Sequence, residues 1–159
     1  MSITINFAAE EEVGLILDFI SQLAEYEKLS QEVTATEASL RVALFSPRPY
    51  AECLIARFNG MPAGFALFFH NFSTFLGMPG IYLEDLFVYP ALRGNGIGKA
   101  LLLRLTEIAR ERGCGRLEWS VLDWNTPAQD FYKKLGAVPK DEWTTYRMTA
   151  DAIEKLAAQ

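Results

Sequence analysis

Seven consecutive residues, Arg93-Gly94-Asn95-Gly96-Ile97-Gly98-Lys99, carry the clearest chemical signal in the chain. They follow the apolar run Ile81–Tyr89 and open a helical pattern that continues through Leu101, Leu105 and Ile108. The predicted order is therefore strand, glycine-rich turn, helix start. A helix N-terminus presents unpaired backbone N–H groups and a partial positive charge. Glycines let that backbone approach a ligand with no Cβ in the way. The product is an anion cradle suited to phosphate. Its spacing is neither Gly-x-Gly-x-x-Gly nor Gly-x-x-x-x-Gly-Lys-Ser/Thr. It fits Arg-x-x-Gly-x-Gly, with Arg93, Gly96 and Gly98.

Two further groups can do chemistry. Glu84 and Asp85 interrupt the apolar run just before the glycine turn. In a regular strand they point to opposite faces, so one of them faces any given cleft unless a bulge intervenes. The segment Val121–Ala137 holds Asn125, Ala128 and the adjacent rings Phe131-Tyr132. Its spacing predicts a short helix, Thr126 to Leu135, with Asn125 or Thr126 near the cap, Pro127 in the first turn and Gly136 at the end. One ring of the pair is expected to pack inward and the other to reach a cleft.

These residues need a scaffold, and the periodicities supply one. Ile3–Phe7 alternates as a strand, and apolar residues recur at helical spacing from Glu10 to Leu29. A helix from Glu37 to Phe45 follows, capped by Thr36 and stopped by Pro47 and Pro49. Strands at Ala51–Phe58 and Ala63–Phe69 flank the hairpin signal Asn59-Gly60. Residues 71–80, with Gly77, Pro79 and Gly80, read as a loop, and His70 as the end of a strand. After the strand 81–89 come a helix over 96–112 ended by Gly113 and Gly115, and a strand from Arg116 to Leu122. Glu142–Met148 reads as a strand closing the sheet, and Asp151–Ala158 as a terminal helix. The hairpin is antiparallel, and the strand–helix–strand unit 81–122 demands a locally parallel pair. The fold class is α/β: a mixed, mostly antiparallel central sheet flanked by helices, in one domain spanning 1–159.

Composition narrows the function. With 15 basic and 20 acidic residues the formal charge is −5, which argues against a nucleic-acid partner and leaves room for a cationic small substrate. A single histidine, His70, makes a histidine-based metal site improbable, and no metal is expected. No apolar stretch approaches the ~20 residues that span a bilayer. The N-terminus shows no signal-peptide pattern, and Cys53 and Cys114 read as reduced packing thiols, so no membrane association and a cytoplasmic setting are expected.

The glycine loop and the Asn125–Gly136 segment together resemble the GNAT superfamily of acyl-CoA N-acyltransferases over nearly the whole chain. More specific strings, Leu23–Leu29, Tyr82–Asp85, Arg93–Gly98, Trp124-Asn125 and Trp143, resemble the spermidine/spermine (diamine) acetyltransferase family and its thialysine-acetylating branch. The loop Phe72–Gly77 has no acid where the polyamine enzymes tend to carry one, and its Phe-Ser-Thr-Phe string, like Val121–Asn125, looks more like the thialysine branch. The stretch from Gly136 to Trp143 is short, which leaves the roles of Asp141 and Glu142 open.

The resemblance implies acetyl-CoA as co-substrate, a small primary amine (a diamine or polyamine first, thialysine or a similar amino acid second) and a homodimer. A protein-amine acetyltransferase and a non-catalytic acyl-CoA-binding module are the other readings. On the cofactor side it implies that Arg93, Gly94, Asn95, Gly96, Ile97, Gly98 and Lys99 hold the pyrophosphate, that amides of Leu86, Phe87 and Val88 bind the pantetheine arm and polarise the thioester, and that Asn125, Ala128 and Tyr132 line the arm. Tyr132 is the expected general acid for the leaving thiolate. On the amine side it implies Tyr26 and Glu27, with Asp85. An alkylamine with a pKa near ~10.4 must lose a proton before it attacks, and Glu84 is the candidate to take or relay it through water.

Overall fold

The structure, a computed structural model, describes residues 2–159. Contacts divide the chain into two compact units, Met1–Ser120 and Val121–Gln159. The first holds a five-stranded sheet of β1 (Ile3–Phe7), β2 (Glu52–Phe58), β3 (Met61–Ser73), β4 (Met78–Val88) and β5 (Arg116–Trp119), in that spatial order. The first four strands pair antiparallel, and β5 joins β4 in parallel. Three helices accompany it: α1 (Val13–Tyr26), α2 (Glu37–Phe45) and α3 (Ile97–Glu111), with α3 forming the crossover between β4 and β5. The mixed, mostly antiparallel sheet matches the expectation from hairpin and crossover signals.

The core forms where helix stripes meet strands. Ile16 and Phe19 of α1 and Leu40 and Leu44 of α2 cluster with Cys53, Ile55, Phe65 and Phe87 of the sheet, all buried. Phe19 stacks on Phe65 at 5.1 Å between centroids. Burying such large side chains stabilises by roughly 1.5–3 kcal/mol each. On α3 the buried stripe Ile97, Leu101, Leu105 and Ile108 follows helical spacing and fixes the helix, and hence its N-terminus, against the sheet. α2 starts as the sequence predicts: Thr36 Oγ1 accepts from the Ser39 N–H at 3.1 Å, and Ser39 Oγ accepts from the Thr36 N–H in return.

Three expectations change. Residues 71–80 are not a loop. β3 and β4 pair out to Ser73↔Met78, so His70 lies inside β3 and only residues 74–77 turn the chain. Gly80 is a close-approach glycine: a Cβ there would stand 2.4 Å from Asn71 Oδ1 and 3.3 Å from the Arg116 carbonyl. Second, β5 stops at Trp119 rather than Leu122, where its pairing with β4 ends. Third, residues 142–148 form no sixth strand, because an extended segment becomes a strand only with a backbone partner. Here its backbone is turn or irregular, with Trp143 and Tyr146 largely exposed.

The second unit contains α4 (Thr126–Lys134) and α5 (Ala150–Ala157). Asn125 caps α4, its side-chain oxygen accepting from the Ala128 N–H at 3.3 Å. Gly136, at φ +92°, takes the left-handed turn after the helix. Among the described residues, no helix is long and apolar enough to cross a membrane.

Candidate active site

The glycine turn makes an open N-terminal cradle on α3. Gly94 and Gly96 lie at φ +84° and +82°, backbone that costs a residue with a Cβ ~1–2 kcal/mol. Gly96 is the N-cap of α3, and no side chain caps the helix there. The first helical bond back to it comes from the Ala100 N–H at 3.0 Å, so the amides of Ile97, Gly98 and Lys99 have no acceptor within the helix. The space around Gly94 and Gly96 is open. Asn95 braces the turn by donating to the Leu92 carbonyl at 2.9 Å, and Arg93 Nε donates to the Val88 carbonyl at 3.0 Å. Buried Ile97 anchors the first helical turn. A pyrophosphate fits this donor set: unpaired amides, a helix dipole and no side chain in the way.

β4 leads into that cradle and is irregular where its acids lie. Leu83 pairs with Phe68 and Asp85 with Leu67, so Glu84 has no opposite residue and forms a bulge. The parallel pairing with β5 ends at Leu83↔Trp119. From Asp85 to Val88, β4 thus keeps its β3 partner and has no β5 partner. The alternate backbone amides of Leu86–Val88 on that side are left available for a ligand to add along the edge.

The bulge turns both acids toward one cavity. A volume of about 400 Å³ is lined by Ile20, Leu23, Ala24, Glu27, Leu29, Glu32, Val33, Thr34, Ala35, Glu84 and Asp85. Glu27 caps the C-terminus of α1, whose last turn closes with Leu29 N–H donating to Ala24 O at 2.8 Å and with Lys28 at φ +61°. Burial, with Glu84 and Glu27 adding like charge, pushes the Asp85 carboxyl up to about 7. Burial alone raises Glu27. Carboxylates held above their ordinary range by burial and by neighbouring like charge gain from a cation in their midst. An ammonium group is the natural occupant, and Asp85 titrates where a proton acceptor for it is most effective.

In the second unit, Tyr132 lies half-buried on α4, tilted against Phe131 at 5.5 Å between centroids. Both residues are half-buried. Asn125 is buried and Ala128 half-buried in the first turn of that helix.

Residues 20–137 match the acetyltransferase (GNAT) family. The chain belongs to the GNAT family. It is 39% identical over 168 residues to the thialysine N-epsilon-acetyltransferase of Bos taurus, covering 99% of this chain and 98% of that one. It is 30% identical to an L-ornithine N5-acetyltransferase of Arabidopsis thaliana over 96% of this chain and 86% of the relative. Among solved structures, an integron cassette protein from the mobile metagenome of V. cholerae superposes with a TM-score of 0.82 at 30% identity, covering 100% of this chain and 99% of that one. The GNAT chain described here is an N-acetyltransferase.

The glycine turn expected from the sequence of this GNAT enzyme opens α3, and the structure brings Glu27, Glu84 and Asp85 together in one cavity. It does not bring Tyr26 into that lining; Tyr26 sits instead beneath Arg93 (4.8 Å to the ring centroid). The cavity wall from the 3-10 turn Ser30–Glu32 through Ala35 was not anticipated. Its one available signal was Glu32, a third acid downstream of Glu25 and Glu27.

Proposed function

We propose that this enzyme transfers the acetyl group of acetyl-CoA to a primary amine of a small dication, a diamine or short polyamine. The cavity lined by Glu27, Glu32, Glu84 and Asp85 carries this reading, since four carboxylates crowd a volume suited to an alkylamine. Acetyl-CoA supplies the activated thioester. The amides at the start of α3 and Arg93 hold its pyrophosphate, and the open edge at Leu86, Phe87 and Val88 orients the thioester carbonyl and stabilises charge developing on its oxygen.

Asp85 and Glu84 bind the ammonium ion; one proton passes to Asp85 before the nitrogen attacks, and a second, released as the amide forms, passes through water to Glu84. Glu27 pairs with the second, remote charge of the substrate, and the apolar stem lies along Ile20 and Leu23. Tyr132 protonates the departing thiolate, with Asn125 and Ala128 lining the arm. The whole chain, 1–159, works as one domain in the cytoplasm, the setting its two unpaired thiols suit, and pairs as a homodimer, as the family resemblance implies. A second acceptor class, amino acids with a terminal side-chain amine, is favoured by the relatives named for thialysine and ornithine.

The test is CoA release against diamines, polyamines, thialysine, lysine, peptide amines and a monoamine of equal length. A dication should outperform the monoamine at least about fivefold in kcat/KM, the lower end of what a charged hydrogen bond contributes. Equal use of monoamine and diamine would remove the remote-charge role of Glu27. Efficient use of spermine alone would contradict the absence of an acid in the Phe72–Gly77 loop as a mark of short substrates.

A further inference from the structure

Arg93 opens the cofactor loop, yet its contacts lead to the amine side. Its Nε donates to the Val88 carbonyl at 3.0 Å. Its guanidinium carbon lies 4.8 Å from the centroid of Tyr26 and 5.5 Å from that of Phe87. The planar group is thus held between a fixed ring and a rim ring. Phe87 is buried in the core and meets Tyr89 edge-on at 6.1 Å, and Tyr89 packs on Phe19 at 5.0 Å and donates its hydroxyl to Asp18 at 2.8 Å. Tyr26, by contrast, is 38% exposed and is the last residue of α1. The next residues are Glu27, which lines the amine cavity, and Lys28, in left-handed backbone. A turn that ends in such backbone needs support from outside itself, because a residue with a Cβ disfavours that conformation.

We infer that Arg93 is a positioning residue for the amine pocket: stacked on Tyr26, it ties the C-terminal turn of α1, and Glu27 with it, to the core through Phe87 and Val88. This rests on the reading of the cavity as the amine site. The brace puts one side chain between the two substrates. Arg93 directly precedes the glycine turn in the chain, so the brace and the cradle share a common support. Lysine in its place keeps the charge but loses the flat face that stacks on two rings.

The experiment measures binding of 1,5-diaminopentane and of thialysine by calorimetry to enzyme without cofactor, then steady-state kinetics with acetyl-CoA. Arg93→Lys should weaken diamine binding about 3- to 10-fold with no cofactor present, the factor a partly exposed cation–π contact is worth. Tyr26→Leu should do the same, Tyr26→Phe should restore wild-type binding, and the Arg93→Lys/Tyr26→Leu double variant should be no worse than either single one. In kinetics the amine KM should rise by the same factor in Arg93→Lys and in Tyr26→Leu. Cofactor-free amine binding unchanged in Arg93→Lys, or single effects that multiply in the double variant, would overturn the brace. If wild-type enzyme neither binds nor acetylates any amine of the panel, it is the amine-site reading that falls, and the brace falls with it.

Discussion

The glycine cradle and the acid-lined cavity proposed for the amine lie at the two ends of one stretch of chain, Glu84 to Lys99, and are built by opposite means. The cradle is backbone: amides at a helix start, with left-handed positions filled by Gly94 and Gly96 and open space around both. The cavity is side chains: acids from the end of α1, β4 and a 3-10 turn, where burial, with Glu84 and Glu27 adding like charge, pushes Asp85 up to about 7. Its rim also has a left-handed residue, but there it is Lys28. A backbone site is pre-formed and indifferent to side-chain identity except where glycine is required. A side-chain site holds like charges in unfavourable proximity until the substrate cation arrives. The cradle costs the fold little, and the cavity stores its cost in the empty enzyme.

That contrast can be broken or sharpened by substitution. The largest effect belongs to a residue of neither region. Tyr132→Phe keeps the ring and deletes the proton donor, so kcat should fall by ~10²–10⁴ with both KM values and the thermal shift on acetyl-CoA binding retained. A loss within about twofold would make Tyr132 a packing residue, since acid catalysis is worth at least ~10².

Next is the cradle. Gly96→Glu brings a strained φ and a negative charge to the phosphate position. It should lower kcat/KM for acetyl-CoA by at least ~10², two charge-assisted hydrogen bonds at ~1.5 kcal/mol each, and abolish the thermal shift given by the cofactor. Amine binding without cofactor should be unchanged. A surviving thermal shift would show that the pyrophosphate lies elsewhere.

The cavity should respond to pH where the cradle does not. Asp85 ionises near 7 in the fold and near its ordinary value, 3.8, when unfolded. Amine binding should therefore strengthen about tenfold as pH rises from 6 to 8, one charged hydrogen bond being gained, and Asp85→Asn should flatten that profile. Stability runs the other way. Between the two pKa values the unfolded chain has lost a proton that the fold retains, so the wild type is progressively destabilised as pH rises from about 4 to about 7 and stays so above. Asp85→Asn should match wild type in melting temperature near pH 4 and exceed it at pH 8. A gap that does not widen with pH would mean the carboxyl is not crowded.

The smallest effect tests the rim. Lys28→Gly should raise the unfolding free energy by ~1 kcal/mol in urea titration, the left-handed penalty being relieved, at the expense of a looser amine site. Any destabilisation would show that Lys28 side-chain contacts outweigh its backbone strain.

Much of this was written in local sequence because much of it is local. A glycine loop needs only residues a few positions apart, so Arg93–Lys99 announces itself, as do the Thr36 cap, the Asn59-Gly60 turn and the Gly136 helix end. The same locality misled at 71–80. Pro79 and Gly80 suggest a loop, but Gly80 is glycine because Asn71 and Arg116 approach it from neighbouring strands. Nothing adjacent in sequence reports those approaches. At 142–148 local strand propensity was present and a backbone partner was not.

The sequence by itself determined the family, the reaction class, the sheet with its flanking helices, and the cradle, because these follow from periodicity and from residues close together along the chain. Tertiary structure alone decided that Glu84 and Asp85 face one cavity. A single extra residue in β4 opposite Leu67 and Phe68 turns the strand at Glu84, and neither strand carries a glycine or proline there to mark it. It also decided that the pair meets Glu27 and Glu32, since only the docking of α1 on the sheet brings residues over fifty positions apart to one cavity.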